Sequence, residues 1–323
     1  ADDAARGATA GDAVRGATAF VFSGNGAQYP GMAQQALACA AFRAGLAEAD
    51  AAIAPWLGAS PLRLIEDGVT AETLAGTDIA QPLLFATQVA TVRALANHGI
   101  HPAVSLGHSV GEVAAAWCAG ALTLADAAHL IVARSRHQHG MKGIGRMAAL
   151  GAPEDEAAAL FATELPGLEI AAVNGPSALT VAGPAGALQR LARIAEERRW
   201  SYVPLDLDYA FHSAAMDGVR DGLLADLATL APQAARHALV STVTAAELAG
   251  PEVGAGYWWR NLREPVRFRA ALHRAAECGA RLFLEIGPNA VLQSYLRDSL
   301  RERASEAVVL PTLSRRDPPG DPF

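Results

Sequence analysis

Cysteine is scarce in this chain. Three residues, Cys39, Cys118 and Cys278, stand far apart in apolar or helical surroundings. An odd count at such spacings argues against a disulfide framework and reads as reduced, structural thiols of a cytoplasmic protein. No cysteines and histidines have zinc-ligand spacing, so no metal is expected. Long apolar runs are also missing. None approaches the span of a membrane helix, and no signal-peptide pattern opens the chain. Positive charge is in deficit: the net charge is -7, which argues against nucleic acid as a partner. The glycine-rich turn "GNGAQYPGM" (Gly24 to Met32) lacks the Gly-Lys-Ser/Thr of a phosphate-binding loop. Its glycines read instead as close backbone approach to something bound.

What is present is a large apolar fraction. Hydrophobic residues make up 51% of 323, enough for one large core or two unequal lobes. Residues 1–16 are small and polar and read as a linker. The stretch "PTLSRRDPPGDPF" (311–323) is rich in proline and charge and reads as a second linker.

Between them lie recognisable elements. Ala17 to Gly24 reads as a buried strand. Ile79 to His98 reads as a helix begun by Gln81-Pro82. Leu122 to His139 reads as another helix, with Leu124, Ala127, Ala128 and Ile131 on its apolar face. Three residues further along that face stands Arg134, whereas Arg136 points away. A guanidinium on a buried face needs an anionic partner. No acid stands three or four residues before it. The partner is therefore either a distant carboxylate of the protein, the commoner outcome, or a ligand. Residues 146–207 run β-α-β-β-α-β, the ferredoxin-like order. They read as a small lobe inserted into a larger α/β lobe formed by 17–145 and 208–310, which resumes with strands at Ala238 to Val243 and Arg281 to Gly287.

The stretch "GHSVGEVAAAW" (Gly107 to Trp117) carries the clearest chemical signal. It follows the apolar run Ala103 to Leu106 and continues with helical composition to Gly120. A G-x-S-x-G between strand and helix is the context of a nucleophile elbow. The glycines clear space at a sharp turn, Ser109 projects from it, and the helix N-terminus offers free N–H groups to an oxyanion. His212, in "DYAFHSAAM", falls where the small lobe returns to the large one, and is the best-placed base for Ser109. An ordinary α/β-hydrolase would carry its histidine near the C-terminus, after an acid.

Together these stretches resemble the malonyl-CoA:acyl carrier protein transacylase family, in particular the acyltransferase domains of modular polyketide synthases. The shared motifs are "GNGAQ", "QPLLFA", "GHSVGE", "ARSR", "AVNGPS", "YAFHS", "RNLREPVRF", "FLEIGPNAVL" and "LPTLSRRD". They follow in order from about Thr18 to Asp317. The resemblance implies an α/β-hydrolase-like lobe with a ferredoxin-like lobe. It assigns Ser109 as nucleophile and His212 as general base and acid. Arg134 becomes the partner of the extender unit's free carboxylate. The backbone carbonyl of Asn261 orients the histidine, and the backbone N–H groups of Val110 and Asn25 form the oxyanion hole. Asn25 stands where the family usually has glutamine; Gln28 keeps the second glutamine of that motif, and Gln28 and His108 are further pocket residues.

The implied reaction is ping-pong transfer of an acyl group from acyl-CoA, through Ser109, to the phosphopantetheine thiol of an acyl carrier protein. Neighbouring synthase domains are implied as partners, with no tightly bound cofactor. A serine thioesterase, or a silent docking domain, is the competing expectation. For the extender, the family pairs HAFH at the histidine motif with malonyl and YASH with methylmalonyl. Here Tyr209-Ala210-Phe211-His212 is a hybrid. Phe211, Val110 and the segment Asp78 to Pro82 favour malonyl. Tyr209 dissents, toward methylmalonyl or another branched unit.

Overall fold

Strand β1 (Ala17–Phe22) turns Phe20 and Phe22 to one side and Ala19 and Val21 to the other, and all four are fully buried. Such two-sided burial marks an interior strand of a parallel sheet. The chain was examined as a computed structural model that describes residues 16–316 and 321–323. Except for Gly16, the expected leading linker lies outside the described residues.

Strand β2 (Val104–Gly107) pairs parallel to one edge of β1. The next two strands in the chain, β3 (Arg146–Gly151) and β4 (Glu169–Gly175), belong with β5 (Ala178–Gly183) and β6 (Ser201–Pro204) to a separate sheet. The first sheet resumes with β7 (Ala238–Val240), β8 (Glu247–Leu248), β9 (Ala280–Ile286) and β10 (Val308–Pro311). Its order is β10-β9-β1-β2-β7-β8, parallel throughout except for the β7–β8 pair. The second sheet is antiparallel with order β4-β5-β3-β6, and helices Glu154–Thr163 and Ala185–Arg198 supply its two crossovers. Its core is its own, around Leu160, Phe161, Val181 and Leu191.

At one seam the second sheet joins the segment around Val266, which lies outside the strands of the first. Val173 donates to the Val266 carbonyl at 2.9 Å, and Val266 donates to the Ala171 carbonyl at 2.9 Å. The C-terminal ends of β1 and β2 point into the crevice beside this seam. Crevices at the carboxyl ends of parallel strands are where open α/β sheets bind ligands.

Some elements differ from expectation. The helix expected from Ile79, with Gln81-Pro82 as its start, runs Thr77–Asn97 with Pro82 inside it. Pro82 lacks an N–H, so the Asp78 carbonyl loses its helical donor; the Ser135 hydroxyl donates to it at 3.4 Å. This helix is also long and apolar enough to cross a membrane, contrary to the expectation that no run approaches that length. Its most apolar window, however, is 83% buried inside the protein, as a core helix is. Strand β7 stops at Val240 rather than Val243, because the Ser241 hydroxyl accepts from the N–H groups of Val243 and Thr244 and turns the chain. The stretch expected as a trailing linker begins inside β10 and then packs back. Leu313 is buried, the Thr312 N–H bonds to the Glu285 carbonyl at 3.1 Å, and Phe323 stacks on Phe42. All three cysteines are free thiols.

Candidate active site

After β2 the chain reverses within three residues, 108–110, and enters helix Gly111–Cys118. Ser109 sits at the reversal with φ 52°, a left-handed conformation that L-residues avoid. The flanking glycines make the turn possible. A Cβ on Gly107 would lie 2.2 Å from the Gly111 carbonyl carbon, and one on Gly111 would lie 2.3 Å from the Phe22 carbonyl oxygen. No side chain fits at either position.

The Ser109 hydroxyl lies 2.7 Å from His212 Nε2. His212 Nδ1 lies 2.9 Å from the Glu264 carbonyl, so Nδ1 carries the proton and Nε2 is free to accept. This corrects the expectation for Asn261. The carbonyl that orients the ring belongs to Glu264, the residue that ends helix Ala255–Arg263 in extended conformation and so turns its oxygen outward. Asn261, inside that helix, works through its side chain: Nδ2 donates to the Ser109 carbonyl at 3.4 Å and to Glu112 Oε2 at 3.3 Å. Burial, and next the Arg134 cation, push the His212 pKa down to about 3, against the pull of the Glu264 carbonyl. The imidazole is therefore neutral at neutral pH, with Nε2 unprotonated and able to accept.

Arg134 lies on the inner face of helix Leu124–His139 and is 1% exposed, while Arg136 is exposed, as the helical spacing requires. Its partners are all uncharged. Nη1 donates to Gln81 Oε1 at 2.6 Å and Gln138 Oε1 at 2.7 Å. Nη2 makes two long contacts, 3.3 Å to the Ser109 hydroxyl and 3.4 Å to Asn261 Oδ1. Nε is buried without a partner. Burial lowers the guanidinium pKa to about 9, which leaves it cationic at neutral pH. No carboxylate bonds to it among the described residues; the buried acid that acts on it is Glu112, through space and across Asn261, and its charge opposes the effect of burial. A desolvated cation with spare donors favours an anion within its reach.

Glu112, two residues past Val110, was not among the expected site residues. It is 1% exposed and takes hydrogen bonds from the Thr242 hydroxyl and N–H, the Tyr257 hydroxyl and Asn261. Burial raises its pKa, and these donors oppose the rise. It ties the elbow helix to the loop after β7. The acid in GHSVGE was its only sequence signal.

A cavity of about 90 Å³ opens on Ser109 and His212, lined also by Asn25, His108 and Phe211 and, from the antiparallel sheet, by Met147, Ala172 and Thr180. His108 is anchored there by Asn174 Oδ1 at 2.8 Å. The backbone N–H groups of Asn25 and Val110 have no internal partner among the described residues. Two expected pocket residues lie elsewhere. Gln28 turns back to accept from the Gly26 N–H at 2.8 Å and lines an adjacent groove, which braces the glycine turn. Tyr209 lines that groove too and stacks on the far side of Phe211, with ring centroids 4.8 Å apart. Among the described residues no group of acidic, histidine and cysteine side chains could hold a metal ion.

Known proteins match the chain over most of its length. Residues 19–320 match the model of a family described as the acyl transferase domain. Erythronolide synthase EryA2 of Saccharopolyspora erythraea is 37% identical over 322 residues, covering 97% of this chain and 9% of that protein. The spectinabilin polyketide synthase system protein NorC of Streptomyces orinoci is 39% identical over 298 residues, covering 92% of this chain and 13% of that protein. The chain thus spans only about a tenth of the length of these relatives. Among solved structures, the acyltransferase domain from module 8 of the salinomycin polyketide synthase superposes with a TM-score of 0.90 at 33% identity, covering 94% of this chain and 72% of that one. The chain belongs to the acyl transferase domain family and is similar in sequence and structure to the acyltransferase domains of modular polyketide synthases.

Proposed function

We propose that this chain loads a malonyl extender unit from malonyl-CoA onto the phosphopantetheine thiol of an acyl carrier protein within a polyketide synthase. The observation that carries the reading is Arg134. It is a buried cation with no carboxylate bonded to it among the described residues, 3.3 Å from the Ser109 hydroxyl. A plain hydrolase of neutral esters has no use for it.

In this reading His212 Nε2 takes the proton of the Ser109 hydroxyl as Oγ attacks the thioester carbonyl. The carbonyl π pair moves to oxygen, and the N–H groups of Val110 and Asn25 stabilise that oxyanion, at about 3 kcal/mol per donor. Collapse breaks the C–S bond, and the His212 proton leaves with the coenzyme A thiolate. The carrier protein's thiol then reverses the sequence on the acyl-serine ester. Arg134 holds the acyl carboxylate and so fixes the ester's pose, which favours transfer over hydrolysis. No cofactor takes part beyond the acyl-CoA substrate.

The same reading treats residues 17–145 and 208–310 as an α/β-hydrolase-like lobe and 146–207 as a ferredoxin-like lobe. Neighbouring synthase domains are its partners, and the setting is cytoplasmic. The malonyl preference rests on Phe211, which lines the cavity beside the dyad.

The test is Arg134→Ala, followed by intact-protein mass spectrometry with malonyl-CoA and acetyl-CoA. Malonyl-enzyme should fall by about 10-fold or more, the scale of a lost charge-assisted contact, while acetyl-enzyme persists. Equal loss of both would return Arg134 to a structural role. Release of free acid in place of carrier-bound acyl would support the hydrolase reading.

A further inference from the structure

The guanidinium of Arg134 is held by two neutral amides, and the way they hold it selects which of its edges is offered. Gln81 Oε1 and Gln138 Oε1 both accept from Nη1, at 2.6 and 2.7 Å. The two amides are also joined to each other: Gln81 Nε2 donates to Gln138 Oε1 at 2.7 Å. Gln81 Nε2 donates further to the Thr77 hydroxyl at 2.7 Å. All of these side chains are buried, Gln81 and Gln138 almost completely. Nη1 is therefore saturated, while Nε is bare and Nη2 makes only the two long contacts. Nε and Nη2 form one edge of the planar fork, the geometry that meets the two oxygens of a carboxylate.

We infer that Gln81 and Gln138 are positioning residues that set acid specificity. They clamp Nη1 so that the Nε–Nη2 edge is left for the substrate's free carboxylate, and they do so without neutralising the cation. This inference rests on the reading of Arg134 as the carboxylate's partner. The choice of amides matters. A glutamate at either position has the same shape and would hold Nη1 more strongly, but would supply an internal anion that competes with the substrate. Gln138 stands one helical turn after Arg134, so clamp and cation share one helix face. Thr77 extends the clamp toward the histidine motif, because its N–H reaches the Tyr209 hydroxyl at 3.5 Å.

The experiment compares Gln138→Glu and Gln138→Leu with the parent protein, using malonyl-CoA and acetyl-CoA as separate substrates and measuring kcat and KM for acylation. For Gln138→Glu the ratio of malonyl to acetyl kcat/KM should fall by about 10-fold or more, carried by KM for malonyl. For Gln138→Leu the ratio should fall less, because Gln81 still holds Nη1. A loss common to both substrates, or an unchanged ratio in a folded Gln138→Glu protein, would overturn the inference. If Gln138→Glu is poorly folded, as judged by its thermal midpoint, Gln81→Glu serves with the same two outcomes. Arg134→Ala separates the two failures. If it lowers the ratio and the glutamate variants do not, the clamp is wrong and the reading of Arg134 stands. If it leaves the ratio unchanged, the reading itself is wrong.

Discussion

Ser109 and His212 touch at 2.7 Å, and both hold left-handed backbone, with φ of 52° and 57°. Neither is glycine, so each costs on the order of 1–3 kcal/mol of local strain that the surrounding packing must offset. The strain has a geometric product. It lifts the serine oxygen out of one tight turn and the imidazole out of another, so that they meet at the lobe seam.

Removal of either partner should separate chemistry from folding. Ser109→Ala should leave no acyl-enzyme detectable by intact-protein mass spectrometry. His212→Ala should slow acylation by at least about 100-fold, the usual scale for a lost general base. A Ser109→Ala protein that still gains an acyl mass would place the nucleophile elsewhere.

The depressed pKa of His212 has two consequences of known sign. In the native protein the imidazole stays neutral down to about pH 3, whereas an exposed histidine titrates at 6.5. The dependence of acylation kcat/KM on pH should therefore show no inflection near that ordinary value. Below it, the unfolded chain takes up a proton that the native state refuses. Stability contributed by the neutral ring is thus complete above 6.5 and is lost as pH falls toward 3. Burial lowers the His108 pKa as well, so it adds to the loss as pH falls below the ordinary histidine value. His212→Asn should lose less stability than the parent protein over this acid range in thermal melts, although not become flat. Parallel melting curves would contradict the assignment.

The elbow's demand for glycine is testable by stability alone. Gly107→Ala would bring a Cβ to 2.2 Å from the Gly111 backbone, where nothing flexible can move aside. The expected cost is about 3 kcal/mol or more in urea unfolding. A loss below about 1 kcal/mol, the ordinary price of a surface substitution, would mean that the turn is more tolerant than its geometry implies.

Different parts of this site were legible for different reasons. Ser109 was legible because its turn imposes backbone demands that only glycines meet, and those demands appear as letters. Arg134 was legible because helical spacing alone puts it on the buried face of Leu124–His139. The carbonyl that orients His212 was not, because every residue near the end of helix Ala255–Arg263 carries one. Which of them points at the ring depends on where the helix ends, and the expectation missed by three residues. The amide clamp was illegible for a related cause. Gln81 and Gln138 are 57 positions apart, and nothing local announces that two neutral side chains converge on one nitrogen. Pro82 misled in the opposite direction. Proline reads as a helix start, but the Ser135 hydroxyl on another helix meets the carbonyl it orphans.

On the proposed reading the extender preference turns on Phe211 and on the ring stacked against it. Its ring lines the cavity beside Ser109 and His212, and on the proposed reading the α-carbon of an acyl group on Ser109 would rest there. A phenylalanine in an open pocket could swing aside for an α-methyl. Here Tyr209 closes that route: the two rings are stacked 4.8 Å apart and 13° from parallel. The Tyr209 hydroxyl is itself fixed, 3.1 Å from His139 Nδ1. On the proposed malonyl reading, Tyr209 would oppose branched substrates by bracing Phe211, the opposite of its bias by sequence. One methyl group in an apolar pocket is worth only about 1–3 kcal/mol, so discrimination should be real and incomplete. With malonyl-CoA and methylmalonyl-CoA at equal concentration, malonyl-enzyme should dominate. Phe211→Ser should move the ratio toward methylmalonyl, and Tyr209→Ala should move it the same way by a smaller step, because it frees the ring without removing it. A parent protein that carries mostly methylmalonyl would reject the malonyl assignment. A Tyr209→Ala ratio equal to the parent's would reject the brace.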